Sequence, residues 1–117
     1  MSQDCIFCKI VQGEIPATIV YQDELATAFR DINPQAPMHV LVVPNRHIDD
    51  ITALSEADEP LAGHLLRVAA QVAAQEGLAT PDRGFRVLVN YGDEGGLVVH
   101  HLHVHVLGGR KMGWPPG

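Results

Sequence analysis

The chain has 117 residues, 46% of them apolar, enough for one domain that buries roughly two-thirds of the surface its unfolded chain exposes and needs no disulfide to hold a core. No apolar run reaches the ~18 residues of a membrane span, and a net charge of −6 with the eight Lys and Arg scattered argues against a nucleic-acid polymer while leaving a single nucleotide within reach. Asp4 and the lack of a positive leader ahead of the short N-terminal apolar stretch predict a cytoplasmic protein.

Taken in chain order, Cys5 and Cys8 form a C-x-x-C pair, which in a reducing compartment favours a metal or redox role over a structural disulfide. Residues 5–11 suit one or two helical turns closed at Gly13. Residues 17–21 and 25–30 suit two strands of a hairpin. A proline-rich loop then leads into the apolar run 39–43, a buried strand that Pro44 ends.

Ser55-x-x-Asp58 resembles a helix start, and Leu61, Leu65, Val68 and Val72 recur on one face of an amphipathic helix that Gly77 closes. Pro60 leaves the position of its first turn open. Residues 85–90 and 98–107 supply two more strands, separated by the glycine-rich YGDEGG. Strands outnumber helices and the links are short, so the expected class is α+β, a mostly antiparallel sheet with one main helix packed on it. The tail MGWPPG should run extended.

The stretch VVHHLHVHVLGG, residues 98–109, holds four of the seven histidines. On a strand, side chains alternate between faces, so His101, His103 and His105 share one face and His100, Leu102, Val104 and Val106 the other. Three histidines in register can chelate zinc or iron, or one can attack a substrate while its neighbours fix its tautomer and carry protons.

The run His101-Leu102-His103-Val104-His105, followed by Val106-Leu107-Gly108-Gly109, closely resembles the histidine triad (HIT) family, in particular its Hint branch of nucleoside phosphoramidate hydrolases. DINPQAPMHVLVVPNRHI, RVLVN, the Gly95-Gly96 pair and LGGRKMGWPPG lie in the order that family shows. The resemblance implies a single HIT domain over 1–117. It also implies a five-stranded sheet with one long and one short helix, extended across a homodimer, with the segment 108–117 reaching toward the partner.

By the same resemblance, His103 is the nucleophile toward a purine nucleoside monophosphate derivative, forming a nucleotidyl-histidine that water releases. His105, His39 and His101 complete the catalytic set. Asp31 matches the acid that accepts from the ribose hydroxyls and Ile32 flanks the base. Asn90 lies at the ribose or phosphate, with Gly96, Leu97 and Val98 beside the phosphate and Trp114 near the partner's site. Leu97 and Val98 stand where relatives commonly carry Gln and Ser, which puts leaving-group preference and turnover in question.

Cys5, Cys8, His47 and His101 match the ligands of a structural zinc in relatives that keep the C-x-x-C. His100 competes with His101 for that place, though it faces the opposite way on a regular strand. His64 is expected on the helix surface. Two other readings stand beside the hydrolase: a slow nucleotide-binding regulatory protein, and a metal-dependent hydrolase using the triad itself as ligands.

Overall fold

The computed structural model describes residues 4–117. It contains helix α1 (Ile6–Val11), strands β1 (Ile19–Gln22), β2 (Ala26–Arg30) and β3 (Met38–Pro44), helix α2 (Glu59–Gln75), and strands β4 (Phe85–Leu88) and β5 (Val104–Gly108). The strands form one antiparallel sheet in the order β1-β2-β3-β5-β4. This is the expected α+β class, with one long helix and one short.

All seven residues of β3 are buried, because both faces of the sheet are covered at its centre. Met38, Val40 and Val42 pack with Ala26, Ala28, Leu102, Val104 and Val106 beneath α2, whose Leu65, Val68, Ala69, Val72 and Ala73 complete the main core. Leu41 and Val43 face the other way, onto Phe29 and onto Cys5, Phe7 and Cys8 at α1. Period-two alternation therefore sends one set of side chains to the core and the other toward the histidines.

Helix α2 begins after a tight 3-10 turn at Glu56–Asp58. There Asp58 reaches back to the Ser55 N–H at 2.9 Å, so the Ser-x-x-Asp signal was the approach to the helix. Pro60 falls in the first turn, where the backbone N–H has no intrahelical partner to lose. At the other end the Gly77 and Leu78 N–H groups donate to the Ala74 and Ala73 carbonyls and close the helix at the expected glycine.

The last strand is shorter than expected, starting at Val104 instead of 98. Its partner β3 ends at Pro44, which has no N–H to give, and the Leu102 N–H donates to the Ile48 carbonyl at 2.7 Å instead. The chain stays alternating through this bend: Leu102 enters the main core while His101 and His103 meet the Phe7 ring on the opposite face. His64 also departs from expectation. It is half-buried, its Nε2 2.7 Å from Asp23 Oδ2, and it ties the β1–β2 turn to α2.

Candidate active site and metal centre

The register of β3 on β5 pairs Leu41 with His105 and His39 with Leu107, so His39 and His105 are diagonal neighbours on one face, within reach of long side chains. His39 Nε2 lies 2.9 Å from His105 Nδ1 and 3.5 Å from Asp31 Oδ2. The His103 ring leans onto His105, with centroids 4.9 Å apart, closer than adjacent same-face positions on a strand would bring them unaided.

Hydrogen-bond partners assign the tautomers. The Gln35 backbone N–H donates to His39 Nδ1 at 3.0 Å, so that nitrogen carries the lone pair and Nε2 the proton. His39 Nε2–H then donates to His105 Nδ1, which leaves the proton of His105 on Nε2. That nitrogen is buried without a hydrogen-bond partner among the described residues. His103 Nδ1 faces the His101 carbonyl at 2.7 Å and must be the donor, leaving Nε2 as a free lone pair.

Burial keeps these rings neutral near pH 7. It lowers His103 against the pull of the His101 carbonyl and Asp31, and lowers His39 although Asp31 opposes it. His105 falls to about 4, through burial first and then through the neighbouring His103 and His39. A neutral, tautomerically fixed imidazole beside a buried unpaired N–H donor can attack an electrophile and bind the charge that develops on it.

A second cluster forms at α1. Cys5 caps this helix, its sulfur accepting from the Cys8 N–H at 3.3 Å, and the three-residue spacing brings both sulfurs to one point. His101 Nδ1 lies 3.2 Å from Cys5 Sγ and 3.5 Å from Cys8 Sγ, and His47 Nδ1 lies 3.3 Å from Cys8 Sγ. All four donor atoms fall within 4.8 Å of one another.

These separations suit a zinc tetrahedron, whose edges for N and S ligands are about 3.3–3.8 Å. The far ring nitrogens agree: His101 Nε2–H donates to the Pro44 carbonyl at 3.0 Å and His47 Nε2–H to Asp49 Oδ1 at 2.7 Å, which turns both Nδ1 lone pairs inward. Two thiolates would cancel the charge of a divalent cation, which fits a site where Cys5, Cys8 and His101 are all buried. Without such a cation, burial pushes the Cys8 thiol up to about 11, with Cys5 beside it adding to the shift.

Asp31, His39 and His105 also stand close enough to surround an ion, but the Gln35 N–H argues against it. A histidine that ligates through Nε2 carries its proton on Nδ1 and needs an acceptor there, whereas His39 Nδ1 faces a donor. The triad thus divides: His101 turns to the cysteines, while His103 and His105 stay with His39 and Asp31. This weakens the reading in which the triad itself holds a metal. His100 is exposed and stands outside both clusters.

Other expected site residues are less gathered. Asn90 donates through Nδ2 to the Gly95 carbonyl at 2.6 Å, bracing the glycine-rich loop. The Gly96 and Leu97 N–H groups donate to the Asp93 and Gly92 carbonyls, so those donors are engaged in closing the turn. Ile32, Val98 and Trp114 are 96%, 82% and 84% exposed. Sequence reasoning missed Asp49, the Pro44 carbonyl and the Gln35 N–H; only Asp49 left a trace, in the His47-x-Asp49 spacing.

The chain is similar to known proteins over nearly its whole length. Residues 12–112 match the HIT domain. The chain is 53% identical over 115 residues to the 14 kDa zinc-binding protein of Zea mays, covering 96% of this chain and 87% of that protein. It is 48% identical over 113 residues to the purine nucleoside phosphoramidase of Escherichia coli strain K12, covering 97% and 93%. The crystal structure of a HIT family hydrolase from Legionella pneumophila Philadelphia 1 superposes with a TM-score of 0.93 at 48% identity, covering 97% of this chain and all of that one. With its two histidine clusters on the sheet face opposite α2, this chain belongs to the HIT domain family.

Proposed function

We propose that the protein is a hydrolase of purine nucleoside phosphoramidates or related nucleotidyl conjugates, acting through a covalent bond to His103. The observation that carries this reading is the His103 Nδ1 contact with the His101 carbonyl, which leaves Nε2 of this buried, neutral ring as the lone pair. That lone pair forms an N–P bond as the bond from phosphorus to the leaving amine breaks. The departing amine takes a proton from solvent; water then cleaves the nucleotidyl-histidine, its OH ending on the nucleoside monophosphate and its remaining hydrogen returning to solvent as a proton. His105 Nε2–H, buried and without a partner among the described residues, hydrogen-bonds the phosphoryl oxygen, and Asp31 accepts from the ribose.

The relative named as a purine nucleoside phosphoramidase supports the substrate class. Incubation with adenosine 5′-phosphoramidate should release AMP and yield a trapped adenylyl-protein by mass spectrometry. His103→Ala should lower turnover by at least about 10³-fold, as loss of a nucleophile does. Turnover that survives this substitution would sink the assignment.

Leu97 and Val98 favour a second reading, a nucleotide-binding protein with slow turnover, since they offer no side-chain hydroxyl or amide to a leaving group. Tight AMP binding with no release of amine in the same assay would select it. In both readings Cys5, Cys8, His47 and His101 hold a structural zinc, supported by the inward lone pairs and by the relative named for zinc binding. The proposed assembly is a cytoplasmic homodimer, in which the tail bearing exposed Trp114 reaches the partner's nucleotide site.

A further inference from the structure

We propose that Arg110, which lies outside both histidine clusters, is a positioning residue that sets which nitrogen of His105 carries the proton. The inference rests on the reading of His103 and His105 as the reacting pair. Its geometry starts at the turn after β5, where Gly109 adopts φ +93° and a Cβ would lie 2.8 Å from the Pro37 ring. Only glycine lets the tail fold back this tightly against the proline-rich loop.

That turn delivers the Arg110 guanidinium to the Gln35 carbonyl, which accepts from Nε at 3.2 Å and from Nη2 at 3.1 Å. Two donors converging on this oxygen hold the Gln35–Ala36 peptide, which shares the Gln35 Cα with the Pro34–Gln35 peptide that carries the Gln35 N–H. Pro34 has its φ fixed by its ring and Pro37 is held against Gly109, so Gln35 and Ala36 are the rotatable residues between them. The same Gln35 points its N–H at His39 Nδ1.

From there only one proton arrangement fits. A backbone N–H can only donate, so His39 keeps its proton on Nε2, donates it to His105 Nδ1 at 2.9 Å, and obliges His105 to present Nε2–H. Arg110 thus acts at a distance of three hydrogen bonds, from an exposed position. Free imidazole exchanges between two tautomers; this chain of contacts selects one before substrate arrives.

The test is the nitrogen-15 spectrum of the histidine side chains, in which the protonated and unprotonated ring nitrogens differ widely in shift. At pH 7 the wild-type protein should show both His39 and His105 protonated at Nε2. Arg110→Ala should give mixed tautomers at both rings with an unchanged pattern of dispersed backbone amides. Its kcat on adenosine 5′-phosphoramidate should fall about 3–10-fold with KM within about twofold, since rate scales with the competent fraction.

Arg110→Lys, which keeps the charge and loses the fork, should fall between the two. Arg83→Ala removes a charge from the same surface cleft and should match wild type. Wild-type tautomers in Arg110→Ala would overturn the proposal, as would an equal change in Arg83→Ala. The spectrum needs no substrate, so a wild-type protein that hydrolyses nothing would defeat the proposed function and leave this test standing.

Discussion

Gly95 shows how little freedom the loop before the histidines has. A side chain there would overlap the Tyr91 carbonyl, and Asn90 holds the Gly95 carbonyl from the other side. Gly95→Ala is therefore expected to cost about 1–3 kcal/mol, as overpacking does, read as a lower urea midpoint. His105 makes a pH-dependent contribution. In the unfolded chain it takes a proton near its ordinary 6.5, and in the fold only near about 4. Between those values the unfolded state binds more protons, so this contribution is whole above pH 6.5 and is lost as pH falls toward 4. Denaturation midpoints should drop across that window, and His105→Asn should flatten the drop. The triad was legible because alternation displays it in one segment, whereas His39, on another strand, came only from the family resemblance. The His64–Asp23 contact and the Arg110–Gln35 bond were not, since each joins chain segments far apart and leaves no local pattern.

Among the elements, α1 depends most on its surroundings. Six residues are too few to hold a helix alone, and its buried residues are only Phe7 and Cys8. Bound zinc would supply the missing stabilisation by joining Cys5 and Cys8 to His47 and His101. Removing the metal with a chelator should raise amide exchange across residues 5–12 while β2, β3 and β5 keep their protection; uniform protection before and after would refute a structural metal. Helix α2 holds by packing instead, and Leu65→Ala should cost about 2–5 kcal/mol in chemical denaturation. The spacing of Leu61, Leu65, Val68 and Val72 was enough to find α2, because its period is local. The true start of β5 was hidden, because it depends on Pro44 in another strand.

At the scale of the whole molecule, the sheet divides the protein into a stabilising side beneath α2 and a chemical side bearing the histidines. Among the described residues strand β4 pairs only with β5, and Phe85 at its start is partly exposed, so the sheet has an edge where a second copy can add. Light scattering on the eluting protein should give twice the 12.7 kDa chain mass; a monomeric wild type would exclude the shared sheet. The α+β class was readable from strand count and link length, whereas the allocation of each sheet face needed the strand order. That allocation runs through β3, where Val40 and Val42 serve one side and His39 and Leu41 the other. Deleting any single residue within 38–44 would exchange the two sides downstream, driving imidazole into hydrocarbon and valine into the reactive cleft. Substitutions confined to the face under α2 carry no such penalty, so an engineer could harden this scaffold against heat while leaving its reactivity as found.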